Sequence, residues 1–302
     1  MIAGVGPALV DRICLVDEFP KRGGQAVVKR TEKSPGGAAA NVIYGLAKFG
    51  VKSSFYTTIG RDEDGELFRK SMEEVGVVCK FLEVDGETGK VDVYVDKRGE
   101  RTFFVFPNAA GKFHPFLTDD DYRVIDYFYL DPFPFEGSLD AHIAIAKRAK
   151  EFRKRVILNP GYPYSRMGLK KLEPLLKNTD IVFLSRNEYE MLGGIENHVG
   201  LLVVTLGEKG SMALKDGREF FSEAFKVGVV DTTGAGDAFA AGFLYAYLNG
   251  HPIELCLRVG NFVASYNIQR LGARNFPPKE LVDEFIRKYL RKDSSSGTAR
   301  NL

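Results

Sequence analysis

Most of the chain alternates between short apolar runs and segments with the hydrophobic period of a helix. In residues 39–49, apolar side chains recur at steps of three and four, at Val42, Ile43, Leu46 and Phe49. This spacing predicts a helix that ends at Gly50. Similar segments follow in alternation, with strands at 2–5, 52–59, 126–130, 155–158, 180–184, 200–205 and 211–214, and helices at 64–74, 139–153, 168–176, 187–192, 235–249, 252–269 and 278–291. The alternation predicts a three-layer α/β/α fold around a mainly parallel central sheet.

Two segments have a period of two residues instead. Val91, Val93 and Val95 alternate with other residues, and a turn and a second strand-like run complete a hairpin by residue 106. The stretch 8–33 also has short apolar pieces broken by proline and glycine. Antiparallel strands need no helices on both faces. We therefore expect a small β-sheet lid formed by about 8–33 and 88–107.

Composition limits the class of protein without changing this fold prediction. The 302 residues are 44% hydrophobic and carry a formal net charge of +2, which favours neither nucleic acid nor an anionic membrane as partner. Apolar runs are too short for a membrane helix, and the three cysteines are far apart, so we expect a cytoplasmic protein. Residues 1–302 are expected to form one domain, with the polar tail 293–302 disordered.

The segment Asp231-Thr232-Thr233-Gly234-Ala235-Gly236-Asp237 directly precedes a helical pattern. Glycines before a helix let its first amides face a ligand, and the helix dipole favours an anion there. Asp237 either caps the helix, which would fill the anion site, or acts as a base. Transfer of a phosphoryl group explains both features, because the amides would hold the phosphoryl group while Asp237 accepts a proton from the attacking hydroxyl.

A second glycine-rich segment, 35–41, opens the first predicted helix. Gly36 and Gly37 admit a ligand, and Asn41 offers both a donor and an acceptor, as sugar hydroxyls require. A simple helix start explains the same residues equally well.

Both segments resemble signatures of the ribokinase-like, or PfkB, carbohydrate kinase family. They read DTTGAGDAFAAGFL at 231–244 and GGAAANVIYGLAKFG at 36–50, and comparable segments follow that family's order at 60–65, 187–190, 205–210 and 270–273. The resemblance implies an ATP-dependent carbohydrate kinase that phosphorylates a primary hydroxyl of a small sugar or sugar-like compound. It also implies that Asp237 is the catalytic base and that Gly234, Ala235 and Gly236 supply the anion-hole amides.

The same resemblance assigns residues to the metal ions. Asn187 and Glu190 match an N-x-x-E motif that helps to hold Mg²⁺ through water and phosphate. Taken alone, this spacing also describes a solvated helix face. Asp231 and Thr233 resemble part of the loops that bind a monovalent cation such as K⁺ in some members of the family.

Nucleotide and acceptor residues follow by resemblance as well. Thr205, Gly207 and Gly210 match a turn beside the ATP phosphates, although a tight hairpin would look alike. Asn261 matches a position that lines the adenine pocket. Asp11 matches the aspartate that accepts hydrogen bonds from sugar hydroxyls, beside Gly36, Gly37 and Asn41.

Arginines in the lid either clamp a phosphorylated substrate or only discourage edge-to-edge aggregation. Of these, we assign a substrate role to Arg101 alone. Ala38 and the segments 108–110 and 159–162 depart from the patterns of ribokinases, fructokinases and related sugar-acid kinases, so the acceptor stays open.

Aromatic residues are dense near the expected mouth of the site, at Phe104, Phe106, Phe133, Phe135, Tyr162 and Tyr164. Aromatic faces suit a sugar or a nucleobase, so a nucleoside kinase is an alternative, although packing in the core or the lid would explain most of these aromatics as well. A non-catalytic sugar or nucleotide sensor is an alternative of another class. A dinucleotide-dependent oxidoreductase is disfavoured, since no G-x-G-x-x-G follows the first strand. The isolated lid sheet would leave an apolar face uncovered, and we expect a homodimer through it.

Overall fold

The computed structural model describes residues 1–98 and 100–297. The strands in this part of the chain are β1 Ile2–Val5, β2 Leu9–Val16, β3 Val28–Gly36, β4 Ser53–Gly60, β5 Val78–Val84, β6 Gly89–Val95, β7 Arg101–Phe106, β8 Tyr127–Leu130, β9 Arg155–Leu158, β10 Ile181–Ser185, β11 Leu201–Thr205, β12 Ser211–Lys215 and β13 Arg218–Ser222. The α-helices are α1 Ala38–Lys48, α2 Glu63–Glu73, α3 Asp119–Val124, α4 Ser138–Glu151, α5 Gly161–Ser165, α6 Leu169–Leu176, α7 Arg186–Leu192, α8 Ala235–Leu248, α9 Ile253–Asn267 and α10 Lys279–Gly297.

The larger sheet has nine strands in the order β13-β12-β11-β10-β9-β8-β1-β4-β5. All neighbours from β11 to β5 are parallel, whereas β12 and β13 pair antiparallel at one edge. The predicted mainly parallel sheet is confirmed. The strands β5 and β13 were not predicted, and both lie at edges of this sheet.

Hydrophobic side chains cover both faces of the large sheet. Successive residues of a strand point to opposite faces, so in β1 Ile2 joins one buried cluster and Ala3 and Val5 join the other. The first cluster contains residues of α1, α8 and α9, and the second contains residues of α4 and α6. The sheet is therefore buried between two helical layers, as the three-layer prediction requires.

The smaller sheet has four strands in the order β3-β2-β6-β7. β2 pairs antiparallel with β3, β6 pairs antiparallel with β7, and β2 and β6 join the two hairpins in parallel. The lid segments thus pair with each other in one sheet. Its first segment continues past the predicted end at residue 33, because Ser34 and Gly36 still pair with Asp11 and Leu9.

Asp62 connects the lid to the large sheet. It caps the N-terminus of α2, where its carboxylate accepts a hydrogen bond from the amide of Gly65 at 2.8 Å. The same carboxylate accepts from the amide and hydroxyl of Thr88, at 2.9 and 2.6 Å, just before β6 begins. One side chain therefore fixes both the helix start and the base of the lid.

The C-terminal helix α10 ends at Gly297, five residues beyond the boundary at which the disordered tail was predicted. Once a helix has started, each further residue costs little, so polar residues can extend it. Residues 298–302, the rest of that predicted tail, lie outside the described residues. Within the described ranges, no helix has both the length and the apolar character needed to cross a membrane.

Candidate active site

The glycine-rich segment forms the start of α8. Gly234 is the N-cap with a left-handed φ of +70°, and a Cβ built there would lie 2.6 Å from the Cβ of Ala273. The left-handed φ and the close approach of Ala273 both require glycine at position 234. The amide of Ala235 donates to the carbonyl of Thr232 at 3.2 Å, so this predicted anion-hole donor is already engaged.

The next two amides of α8 are available. Among residues 1–98 and 100–297, no group accepts a hydrogen bond from the amide of Gly236 or of Asp237. A Cβ at Gly236 would meet no atom within 4 Å, so the backbone is open on that side. The amides of Gly234, Gly236 and Asp237 are therefore candidates for an anion site at this helix start, since the amide of Gly234 also has no acceptor among the described residues.

Asp237 is held by a chain of hydrogen bonds from α1. Asn41 donates from Nδ2 to Oδ2 of Asp237 at 2.8 Å, and Arg274 donates from Nε to Oδ1 of Asn41 at 2.9 Å. Burial raises the pKa of Asp237 to about 6, against the opposing effects of Asn41 and Arg274. The second oxygen of Asp237, Oδ1, has no hydrogen-bond partner among the described residues.

Arg274 was missed by the sequence analysis. Its Nη1 donates to the hydroxyl of Ser71 at 2.8 Å, and the guanidinium lies 4.9 Å from the ring centroid of Tyr44 and 5.7 Å from that of Phe68. Burial lowers the pKa of Arg274 to about 10, so it stays charged at neutral pH. It therefore orients the Asn41 amide and places a positive charge near Asp237.

Asp11 and Gly36 meet where β2 and β3 pair. A Cβ at Gly36 would lie 2.5 Å from Oδ2 of Asp11, so only glycine leaves room for this carboxylate. Burial raises the pKa of Asp11 to about 6, the charge of Arg274 opposes the rise, and the charge of Asp237 adds to it. The charge of Asp237 therefore affects the pKa of Asp11, the residue predicted to accept hydrogen bonds from sugar hydroxyls.

Gly37 also needs its small size. Its φ is +94°, and a Cβ there would lie 2.5 Å from the carbonyl oxygen of Pro7. Gly37 is the N-cap of α1. It lets the chain turn from the lid strand β3 into the helix that carries Asn41.

A third carboxylate, Asp131, was not predicted. It follows β8 directly, is buried, and accepts from the amide of Ala39 at 3.4 Å. Burial raises the pKa of Asp131 to about 8, and the charge of Asp237 adds to this effect. An aspartate right after a buried parallel strand is a sequence signal for this position, because ligands bind at the carboxyl ends of such strands.

Gly236 and Asp237 line a cavity with Ser185 and Thr205, at the ends of β10 and β11, and with Glu188 on α7. Thr205 was predicted to lie beside the ATP phosphates, and the structure places it on the same cavity as Asp237. The hydroxyl of Thr205 donates to the carbonyl of Leu184 at 3.4 Å. This cavity is the candidate nucleotide site.

The predicted magnesium residues Asn187 and Glu190 are exposed on α7, outside the lining of this cavity. Glu188 between them lines the cavity, and one of its oxygens accepts from the amide of Ser185 at 2.7 Å. Oxygen ligands of this kind suit a hard cation that keeps most of its water molecules. Glu188 would therefore be an additional candidate to hold a magnesium ion that enters the cavity with a nucleotide.

Three more residues were predicted to bind the nucleotide. Gly207 and Gly210 form a turn, and Asn261 holds the chain segment beside it. Gly207 and Gly210 have φ values of +61° and +108°, and a Cβ at Gly210 would lie 2.1 Å from the carbonyl oxygen of Ser222. Buried Asn261 donates from Nδ2 to the carbonyls of Ser222 and Glu223, at 2.9 and 3.1 Å. The amide group of Asn261 thus holds the chain after β13, and its donors are already used.

The predicted monovalent-cation residues bind an arginine of the lid instead. Arg101 donates to Oδ1 of Asp231 at 2.5 Å and to the hydroxyl of Thr233 at 2.7 Å. Burial alone would raise the pKa of Asp231, but hydrogen bonds from Gly272 and Thr233 and the charge of Arg101 lower it overall. Both oxygens of the Asp231 carboxylate therefore accept hydrogen bonds, and Nη1 and Nη2 of Arg101 each donate one bond to this loop.

The two faces of the lid differ in what they line. Asp11, Ile13, Val93 and Arg101 line a cleft shared with Asp231, Thr233 and Leu271. Of the aromatics expected at the mouth, Phe104 and Phe106 instead line a groove on the opposite face of the lid. Phe133 and Tyr164 are buried in the second hydrophobic cluster, so they offer no surface to a ligand.

Comparisons with known proteins give matches over most of this chain. A family model described as pfkB family carbohydrate kinase matches residues 1–280. An uncharacterized sugar kinase of Archaeoglobus fulgidus is 36% identical over an alignment of 249 positions that covers 78% of this chain and 99% of that protein.

Solved structures share the whole fold. The nucleoside kinase of Methanocaldococcus jannaschii, described as an archaeal member of the ribokinase family, has a TM-score of 0.84 at 26% identity, covering 95% of this chain and 98% of that one. A ribokinase from Thermotoga maritima has a TM-score of 0.82 at 27% identity, covering 95% and 99%. Both lid and large sheet therefore belong to one known architecture.

Proposed function

Because the chain belongs to the pfkB family of carbohydrate kinases, we propose that it transfers the γ-phosphoryl group of ATP to a primary hydroxyl of a small sugar or sugar-like compound. One observation carries the proposal: the amides of Gly236 and Asp237, which have no acceptor among the described residues, lie beside a carboxylate oxygen that has no partner there either. Such a pair can bind a phosphoryl group and accept a proton at the same place.

Asp237 is the base in this proposal. Its Oδ2 is fixed by Asn41, which leaves Oδ1 to accept the proton of the acceptor hydroxyl. As that proton leaves, the hydroxyl oxygen bonds to the γ-phosphorus and the bond to the β-phosphate oxygen breaks, giving ADP. A pKa of about 6 keeps most of Asp237 ionised at neutral pH while leaving it a stronger base than an exposed aspartate.

The amides of Gly236 and Asp237 point from the positive end of α8 and would neutralise the charge on the transferred group. A magnesium ion carried by ATP would supply further charge compensation. Asn187 and Glu190, or Glu188 on the cavity wall, would hold it through water molecules. Thr205, Gly207 and Gly210 would border the phosphates.

The acceptor would lie under the lid. Among the described residues, the side-chain carboxyl group of Asp11 has no hydrogen-bond partner, and that of Asp131 accepts only one long bond. Carboxyl groups with unused hydrogen-bonding capacity suit a compound rich in hydroxyl groups. Lid closure would exclude water, which would otherwise compete with the acceptor.

A nucleoside is the second candidate acceptor. The lid wall of the cleft is apolar at Ile13 and Val93, and Val93 pairs with Phe103, an exposed aromatic residue. Alternation along β7 puts Phe103 on the same face as Arg101. A nucleobase could pack there while its ribose meets Asp11.

A transfer screen tests the proposal. Purified protein, magnesium and ATP labelled at the γ-phosphate are incubated with pentoses, hexoses, sugar acids and nucleosides, and labelled products are separated from ATP. We expect one acceptor class to yield a phosphate ester at a primary hydroxyl. Absence of product with every class, together with tight binding of a sugar, would favour the non-catalytic sensor.

The site of action and the assembly complete the proposal. We expect the enzyme to work in the cytoplasm, where reducing conditions suit its three unpaired cysteines, Cys14, Cys79 and Cys256. We also expect a homodimer through the lid, because Phe104 and Phe106 leave apolar surface exposed on its outer face.

A further inference from the structure

Arg101 joins the lid to the segment that precedes the anion site. It lies at the start of β7, and its Nη2 and Nη1 donate to Asp231 at 2.5 Å and to the Thr233 hydroxyl at 2.7 Å. Asp231 is buried, and the Arg101 side chain is only 23% exposed, so this ion pair is shielded from solvent. Such a shielded ion pair contributes more to the stability of the structure than an exposed pair does.

Hydrogen-bond donors engage both carboxylate oxygens of Asp231. Its Oδ1 accepts from Arg101 and from the amide and hydroxyl of Thr233, at 2.8 and 2.7 Å for the latter two. Its Oδ2 accepts from the amide of Gly272 at 2.8 Å. A monovalent cation needs oxygen lone pairs that face it, whereas here they face four donors, and one donor is itself a cation. The residues present therefore do not fit the monovalent ion that the family resemblance implied.

We propose that Arg101 takes the place of this monovalent cation and that the lid thereby orders the anion site. The inference rests on the proposed phosphotransfer. Arg101 acts as a positioning residue through Asp231: the carboxylate fixes Thr233, and Thr232 accepts from the amide of Ala235 at 3.2 Å. The turn held in this way leads directly into Gly236, whose amide faces the candidate phosphate.

In this proposal, the order of the anion site depends on closure of the lid and not on a bound monovalent cation. A bound ion would be present whether the lid is open or closed, but Arg101 reaches Asp231 only when β7 lies over the loop. The turn before α8 is then completed when the acceptor has been enclosed. Transfer to water would be suppressed in the open form, because the anion site is not yet in place.

The experiment compares the response to potassium of the wild type, Arg101→Met and a matched control. The control is Arg98→Met, which removes an exposed arginine of the same hairpin whose side chain has no partner among the described residues. Phosphotransfer and the thermal unfolding midpoint are measured in potassium chloride and in tetramethylammonium chloride at equal ionic strength.

We expect wild type and Arg98→Met to behave alike in both salts. Arg101→Met should lose about tenfold in kcat/KM in tetramethylammonium and regain most of it in potassium, as expected for one charge-assisted interaction. Its unfolding midpoint should rise with potassium, whereas that of the wild type should not. Arg101→Lys, which keeps the charge, should fold and remain insensitive to potassium.

Three results would overturn the proposal. The wild type could be stimulated by potassium, or Arg101→Met could keep the kcat/KM and the unfolding midpoint of the wild type. The third is an Arg101→Met protein whose kcat/KM is reduced and in which potassium raises neither kcat/KM nor the unfolding midpoint. The unfolding measurement needs no acceptor. If no acceptor is phosphorylated by the wild type, the proposed function fails, while the potassium response of Arg101→Met still decides the role of Arg101.

Discussion

Asn41 connects the two signature segments through its side chain. Its Nδ2 donates to Asp237 and its Oδ1 accepts from Arg274, so the orientation of the amide is set by the arginine. Reversal of the amide would turn its oxygen toward the Asp237 carboxylate and would cost two hydrogen bonds. The base is therefore positioned by a residue on another segment, near the C-terminal end of the fold.

Replacement of Arg274 should change the pH dependence of the reaction. Burial raises the pKa of Asp237 to about 6, and the charge of Arg274 opposes the rise. A base works only when ionised, so kcat/KM falls as the pH drops through this pKa. We expect Arg274→Gln to raise the pKa and move the acid limb of the pH profile to higher pH.

The control for this prediction is Arg270→Gln. Arg270 is exposed and lies over the ring of Tyr266, 4.6 Å from its centroid. The acid limb of the pH profile of Arg270→Gln should coincide with that of the wild type. An Arg274→Gln profile that is lower at every pH but not displaced would mean that Arg274 supports the fold without acting on Asp237.

The sequence was informative about individual residues where the chemistry is local. Gly234, Gly236 and Asp237 are consecutive or nearly so, and their roles follow from helix-start geometry. Arg274 gave no such signal, because it lies 233 residues from Asn41 in the chain. An arginine in a polar segment does not reveal which distant side chain it will meet.

Among the secondary-structure elements, the joint between α2 and the lid depends on Asp62. Asp62→Ala removes an N-cap and three hydrogen bonds, so we expect a loss of about 1–3 kcal/mol in the free energy of unfolding, measured by denaturant titration. The control Glu63→Ala removes a neighbouring exposed carboxylate and should change stability little. Equal stability of both variants would show that this joint is not held by Asp62.

The two strands missed from the sequence show which elements a hydrophobic pattern fails to reveal. β5 and β13 are the outermost strands of the large sheet, and most of their residues are exposed or only partly buried. Lys80 and Glu83 interrupt the apolar run in β5. An edge strand pairs on one side only and tolerates charge, so its period is weaker than that of β1 or β4.

Within the whole molecule, the outer face of the lid determines the predicted assembly. Phe104 and Phe106 are 54% and 42% exposed and line a groove with Tyr94 and Val28. We expect the double variant Phe104→Asp, Phe106→Asp to sediment as a monomer, and the wild type as a dimer, because buried carboxylates would oppose contact between two lids. The control Phe221→Asp changes an exposed phenylalanine of β13 and should remain dimeric. A monomeric wild type would contradict the lid dimer.

The overall fold followed from the alternation of strands and helices, but the shape of the acceptor site did not. The sequence left open whether Phe133 and Tyr164 line the mouth of the site or pack in the core, and both are buried in the core. Aromatic residues fill cores and line sites alike, and only the packing of distant elements separates the two. This ambiguity is why the sequence left the choice between sugar and nucleoside open.

The most direct test of the account is the rate of a single turnover by Asp237→Asn at saturating ATP and acceptor, with ATP affinity measured by calorimetry on the same sample. The account predicts that ATP binds with nearly unchanged affinity, since asparagine can still accept from Asn41, while the transfer rate falls about 10²- to 10⁴-fold. A transfer rate close to that of the wild type would contradict the assignment of Asp237 as the base.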